Sequence, residues 1–307
     1  MIAIDKSLNS RKSELLTHFS DRGAESLQEI KSVYGSTQFK ALASAINKAI
    51  IETRDNVIKA LEQKANKEKW DNRDLLEYIL MITYTSYIVM IEYRNGVWPY
   101  EYMTFSRRIG ELWQPFCRLC FEYPLKEMSL FIPPLFSEVK RKLSSEIGEY
   151  IERLNISEEQ KRQLKKYYEK VWSLVTSGEI KLELDLHFEQ GVNRYVVDFK
   201  SGFGSNEKGN TNRLLLVAAI YKNLEENYKC LLLVRADEDS NNNYFRILKN
   251  SGVWEAYCGK EAYARMKEHT GFDIKQWIET NIDWTHDFRD ETIQYFRENN
   301  FDQYLKW

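Results

Sequence analysis

Period-two alternation marks one stretch of this chain clearly: Leu182-Glu183-Leu184-Asp185-Leu186-His187-Phe188-Glu189. Apolar and polar residues that alternate in this way predict a half-buried strand. The run Tyr195-Val196-Val197-Asp198-Phe199-Lys200 is rich in β-branched and aromatic residues and predicts a second strand. Gln190-Gly191-Val192-Asn193 lies between them. A two-residue loop at Gly191-Val192, with glycine at the first central position, predicts a tight hairpin. That loop pairs Gln190 with Asn193, and the same register sets Asp185 directly opposite Asp198. Their Cβ atoms would then be about 4.5–5.5 Å apart.

Helical patterns fill most of the remainder. Ser36 can cap a helix that opens at Thr37-Gln38-Phe39, and Phe39, Leu42, Ile46, Ile50, Ile51 and Val57 follow its period. A second helix is predicted from near Asp74 to Arg94, ended by Asn95-Gly96. All five prolines fall between Pro99 and Pro134, which predicts short, broken helices there. Ser137 to Leu154 is again helical. Ser157-Glu158-Glu159-Gln160 is a capping box, opening a helix that carries Leu164, Tyr167, Val171, Leu174 and Val175 and stops near Gly178. After the hairpin comes a polar loop, Ser201 to Asn210, then an apolar helix from Leu214 to Leu224. Cys230-Leu231-Leu232-Leu233-Val234 reads as a buried strand, and Asn241 to Leu248 as a further one. The order helix, strand, strand, helix, strand predicts an α/β layered core. The aromatic-rich C-terminal stretch reads as helical core.

Composition narrows the function classes. At 307 residues the chain can bury a large core, and 13 glycines and 5 prolines favour long helices. A net charge of −2 supplies no global basic field for nucleic acid, so such a partner needs positive charge gathered on one face. Four cysteines are too few for a disulfide scaffold. The first residues form no signal-peptide core. Leu75 to Tyr93 is strongly apolar, but Glu77 and Glu92 shorten its uncharged part below the roughly 20 residues of a membrane span. It is expected to be a buried helix, in a soluble, cytoplasmic protein of a prokaryote that touches no membrane.

Two carboxylates facing each other repel unless something positive lies between them, and hard cations such as Mg²⁺ take oxygen ligands. Lys200 follows Asp198 by two and emerges on the same face. Asp185, together with Asp198-Phe199-Lys200, the hairpin between them and the order of the flanking elements, resembles the PD-(D/E)XK nuclease superfamily, and within it the type II restriction endonucleases. Leu184 stands where that family often has proline. Gly259-Lys260-Glu261-Ala262-Tyr263 and Thr270-Gly271-Phe272-Asp273-Ile274 also look like the tail after the core in many restriction enzymes. The resemblance covers roughly Ser157 to Trp277.

It implies a restriction-endonuclease-like α/β core, a mixed sheet flanked by helices, at 156–307 with a helical C-terminal tail. A large helical N-terminal region at 1–155 would serve DNA recognition or dimerisation. The implied activity is Mg²⁺-dependent hydrolysis of phosphodiester bonds in double-stranded DNA, as a site-specific type II enzyme of a restriction–modification pair acting as a homodimer. Asp185, Asp198 and the Phe199 carbonyl would hold the metal, which would polarise the scissile phosphate and acidify its bound water. Lys200 would position or help deprotonate that water. Glu169 and Glu179 of the preceding helix, and Glu183 on the Asp185 face, are candidate further ligands. Lys208, Asn210, Asn212 and Arg213, with Lys140, Arg141 and Lys142, are candidate DNA contacts, as are Arg107 and Arg108.

Other readings compete. A repair, recombination or mobile-element nuclease with the same core would cut by DNA structure, and a catalytically silent core would only bind DNA. Asp198 and Lys200 could also form a plain surface ion pair. Gly204 to Thr211 nearly fits a phosphate-binding loop, but Asn210 replaces the lysine that neutralises phosphate, so no nucleotide cofactor is expected. Cys117-Arg118-Leu119-Cys120 would need Cys230 and Cys258 to complete a metal cluster, and buried free thiols are the plain alternative. The four histidines show no paired metal spacing.

Overall fold

The computed structural model describes residues 11–35, 37–173, 180–204, 207–224 and 227–307. The expected cap at Ser36, the helix end at Leu174, Val175 and Gly178, the candidate ligand Glu179, and Ser205-Asn206 of the polar loop lie outside the described residues.

Four long helices come first: α1 (Lys12–Tyr34), α2 (Phe39–Glu68), α3 (Asn72–Val97) and α4 (Tyr102–Glu122). Leu42, Ile46 and Ile50 of the expected stripe are buried in α2, while Phe39 is exposed. α3 is apolar on every side and buried, as such a helix must be. Among the described residues it is the one helix long and apolar enough to cross a bilayer, and 83% of its apolar window is packed against protein. Its start is capped by Asp71, whose side chain accepts from the Asp74 amide. The helix runs through the expected stop at Asn95-Gly96 to Val97, and the Asn95 side chain accepts the Tyr100 amide at 2.9 Å.

The expected broken segment is instead the continuous α4, with Pro115 inside it. An internal proline costs about 3 kcal/mol. Leu112, Trp113, Phe116, Cys117, Cys120 and Phe121 around it are all buried. Each large apolar side chain contributes roughly 1.5–3 kcal/mol, so tertiary burial outweighs the break.

Next come β1 (Ser129–Leu130), α5 (Phe136–Arg153) and α6 (Glu158–Ser173). The capping box forms as expected: Gln160 Oε1 accepts the Ser157 amide at 3.0 Å, and Ser157 Oγ accepts the Gln160 amide. The apolar residues Leu164, Tyr167 and Val171 of α6 are exposed.

The sheet follows, with β2 (Leu186–Gln190), β3 (Asn193–Lys200), α7 (Lys208–Lys222), β4 (Tyr228–Val234), α8 (Asn243–Lys249) and β5 (Glu255–Cys258). The chain closes with α9 (Gly259–Thr270), α10 (Ile274–Asn281), α11 (Trp284–Asp287) and α12 (Asp290–Glu298). The strand order is β1-β2-β3-β4-β5; β1, β2 and β3 are antiparallel neighbours, and β4 and β5 continue in parallel from β3. The hairpin has the expected register, Gln190 opposite Asn193, with Gly191 at φ +60° where a side chain would be strained.

Three local expectations are corrected. The first strand begins at Leu186, not Leu182. Its outer partner β1 has only two residues, and side chains engage the backbone of the segment before it. Tyr221 donates to the Leu182 carbonyl and Arg118 to the Asp185 carbonyl, each at 3.0 Å. Residues 243–249 are helix, not strand: Asn242 caps α8 by accepting the Tyr244 amide, and Phe245 and Leu248 are buried one turn apart. Lys208, Asn210, Asn212 and Arg213 lie on the first turns of α7 and not in a loop.

Two apolar clusters cover the two faces of the sheet. One joins Leu186, Phe188, Val197 and Phe199 to α3, α4 and the aromatic C-terminal helices. The other joins Val196, Leu232 and Val234 to Leu214, Val217 and Tyr221 of α7 and to α8. The C-terminal aromatics are core, as expected.

Candidate active site

Asp198 shares the α7 side of β3 with Val196 and is 1% exposed. Lys200, two residues on, emerges on that side at the strand end. Its Nζ lies 2.5 Å from Asp198 Oδ2 and donates weakly to the Phe199 carbonyl at 3.3 Å. Lys200 and Asp198 thus form a close charge-assisted pair in which the ammonium holds the buried carboxylate through Oδ2. Arg213 of α7 approaches the other oxygen, Oδ1, at 3.8 Å. Burial pushes the Asp198 carboxyl up to about 6; Lys200 pulls against that rise, the charge of Asp185 adds to it, and Arg213 opposes it.

Asp185 comes to the same place by a different route than a strand ladder. Beyond the last ladder pair, Leu186 with Val197, the Phe199 amide has no strand partner on that side, and Asp185 Oδ2 accepts it at 2.8 Å. Arg118 of α4 holds the Asp185 carbonyl and reaches Glu122 with its Nε at 2.8 Å. A second α4 contact secures the other strand end. Gly110 lies so close to Ser201 that a Cβ there would meet the serine side chain at 2.9 Å. The structure therefore brings Asp185, Asp198 and Lys200 together, with Asp185 turned onto the β3 backbone rather than standing square to Asp198.

The other candidates are placed elsewhere. Glu183 is exposed on the irregular segment before β2, and Glu169 is exposed in the crevice between α5 and α6. Among the described residues no three His, Cys, Asp or Glu side chains gather to hold a metal, so neither glutamate joins the two aspartates as a ligand. Lys140 lines the same crevice as Glu169, Arg141 is exposed, and Lys142 lies 3.9 Å from Glu146. Arg107 and Arg108 pair with Glu111. On α7, Lys208 and Asn212 are exposed, and Asn210 bonds Glu207 and Arg213. Of these basic candidates, Arg213 is the one that reaches the acids.

The remaining motifs take their plain readings. Gly209 is helical with open space where a side chain would stand, so no close backbone approach requires it. Cys117 and Cys120 belong to one apolar cluster and Cys230 and Cys258 to the other. Burial raises all four thiols, Cys230 to about 12. His187 is a core residue: burial lowers it to about 4, and its ring packs against Phe131 and Tyr221.

Two residues were not anticipated, Arg118 beside Asp185 and Thr211 on α7. Arg118 acts across 67 positions of sequence, which no local pattern signals. Thr211, on the face of α7 that packs on the sheet, is 2% exposed and its hydroxyl has no hydrogen-bond partner. Its one sequence signal was its place at the end of the near phosphate-loop pattern.

Comparison with known proteins finds no matching family model, no similar curated protein and no similar solved structure.

Proposed function

We propose that this chain is a Mg²⁺-dependent endonuclease that hydrolyses phosphodiester bonds in double-stranded DNA, with Asp185, Asp198 and Lys200 as its reactive cluster. The observation that carries this reading is the gathering of two carboxylates and an ammonium at one end of the hairpin. One of those carboxylates is almost wholly buried, with the Lys200 ammonium as its close partner and Arg213 farther off. Burying an ionised carboxylate without full pairing costs several kcal/mol, and sites that bind cations accept such a cost. The donor set suits Mg²⁺, which binds through one or two carboxylates and keeps several waters. Asp185 and Asp198, with the Phe199 carbonyl, would hold the ion. When bound it would polarise the scissile phosphate and acidify a coordinated water.

The chain's own residues divide the remaining work. Lys200 carries a positive charge beside the acids, placed to orient a nucleophilic water and to offset charge developing on phosphorus oxygens. Arg213, 44% exposed beside Asp198, is positioned to bind a phosphate of the strand being cut. The topology supports a PD-(D/E)XK-like core: an antiparallel hairpin, a crossover helix and a parallel strand, in that order. Within it we favour a sequence-specific type II enzyme that works as a homodimer, one active site for each strand.

A second reading is favoured by one observation. Lys200 already pairs with Asp198, and Asp185 already satisfies the Phe199 amide, so the cluster balances much of its charge without a metal. In that case the core is a silent DNA-binding module. Plasmid digestion by the purified protein decides. Discrete bands with Mg²⁺, abolished by EDTA and by Lys200→Ala, are expected. Smears or nicks instead of bands point to a structure-specific repair, recombination or mobile-element nuclease. DNA binding that survives EDTA with no cutting refutes the nuclease.

A further inference from the structure

We propose that the cavity between α2, α3 and α4 binds a small uncharged heterocycle with hydrogen-bonding groups, of the nucleoside class. Its volume is about 460 Å³, within the roughly 300–1,000 Å³ usual for small-molecule sites. The observation that points to a ligand is Thr83. This residue lines the cavity, is 3% exposed, and its hydroxyl has no hydrogen-bond partner among the described residues. Two other buried hydroxyls of α3 bond carbonyls of their own helix. Thr85 donates to Met81 at 2.8 Å and Ser86 to Thr83 at 2.7 Å. The Thr83 hydroxyl forgoes that solution beside an open space, and an unmet buried polar group is costly.

The charges of the wall are matched among themselves. Arg54 pairs with Asp55 at 2.7 Å, and Arg118 donates to Glu122 at 2.8 Å and to the Asp185 carbonyl at 3.0 Å. Glu62 accepts the Tyr123 hydroxyl at 2.6 Å, and Lys59 is exposed to solvent. Three cations and three acids stand among the described lining residues, so the wall offers donors and acceptors without a net charge to select an ion. Tyr87 lies one turn beyond Thr83 on the same face of α3 and is buried. Its ring, with Ile58 and Leu119, gives the cavity apolar surface, which suits the face of a flat ring. A neutral lining with a buried hydroxyl and an aromatic wall selects an occupant of matching character. Its binding needs no cleavage to be seen, so the proposal stands or falls independently of the nuclease.

Isothermal titration of the full-length protein with adenosine, guanosine, cytidine and uridine tests it, with ribose and the four nucleoside monophosphates as controls. Saturable single-site binding of at least one nucleoside is expected, with ribose not binding and the matching monophosphate no tighter. Thr83→Val should weaken that nucleoside roughly three- to tenfold, the loss of one hydrogen bond, while Thr83→Ser, which keeps the hydroxyl, should bind as wild type does. Without nucleoside, the thermal midpoint of Thr83→Val should be no lower than that of wild type, because the hydroxyl it removes has no partner to lose. No saturable binding of any nucleoside, ribose or a monophosphate binding more tightly than the nucleoside, unchanged affinity in Thr83→Val, or a lowered midpoint in that variant would overturn the assignment.

Discussion

Replacing Asp198 by asparagine keeps the side chain's shape and removes its charge, and it should make the protein more stable at alkaline pH. Burial raises the Asp198 carboxyl from 3.8 to about 6 even with Lys200 beside it. A carboxyl whose folded value exceeds its unfolded value supports the fold fully below about pH 4. That support is lost as pH rises through about 6. At 1.36 kcal/mol per pH unit, the ionised side chain costs the folded state about 3 kcal/mol at pH 8. Lys200 is 20% exposed, so water can solvate its ammonium once the partner charge is gone, and most of the gain should survive. Urea unfolding of wild type and Asp198→Asn at pH 4 and pH 8 measures the difference. The variant should gain up to about 3 kcal/mol at pH 8 and nothing at pH 4. Added Mg²⁺ at about a hundred times its dissociation constant should stabilise wild type by about 2.7 kcal/mol and leave the variant unmoved. A variant that is less stable than wild type at pH 8, or that responds to Mg²⁺ as wild type does, would refute the account of Asp198 as a strained, cation-seeking carboxylate.

Lys200→Met should lower plasmid cleavage by roughly 10²-fold or more while Mg²⁺ still raises the unfolding midpoint, because the two aspartates remain; loss of both together would mean that the lysine only holds the site in shape. Arg213→Ala should weaken DNA binding and make the slope of log affinity against log salt shallower by about 0.9, the signature of one phosphate contact, read by fluorescence anisotropy across a salt series. Gly110→Ala would drive a methyl group into Ser201, at a cost of about 1–3 kcal/mol. Ser201→Gly in the same chain should restore most of that stability in thermal unfolding, and a double variant no better than the single one would place the strain elsewhere.

The hairpin was legible because its signals are local. Gly191 supplies the positive φ that the turn requires, and turn length alone then fixes which residues face each other. Strand length was not legible, because a strand extends only as far as a neighbour pairs with it. Leu182 to Asp185 alternates as a strand should, yet β1 offers two residues of edge, and Arg118 and Tyr221 take carbonyls that a ladder would have used. The continuity of α4 through Pro115 was hidden for a related reason. The local penalty is visible in sequence, while the burial that exceeds it comes from Trp277 and Trp307, which pack on Phe116 from more than 150 residues away. Residues 241–248 carry too few apolar positions to separate period two from period 3.6, and Asn242 settles the matter by capping a helix.

At the site, parity alone put Asp198 and Lys200 on one face, and that holds because β3 is regular to its last residue. Asp185 shows where parity stops working. Once the ladder ends, the unpaired Phe199 amide competes for the carboxylate, and a buried backbone donor is too costly to leave unmet. The result is a cluster in which every charge has a provisional partner: Asp198 with Lys200, Asp185 with a backbone amide, and Arg213 within 3.8 Å of Asp198. Such an arrangement balances much of its own charge. On the nuclease reading proposed above, an entering cation would have to compete with the Lys200 ammonium for Asp198 Oδ2.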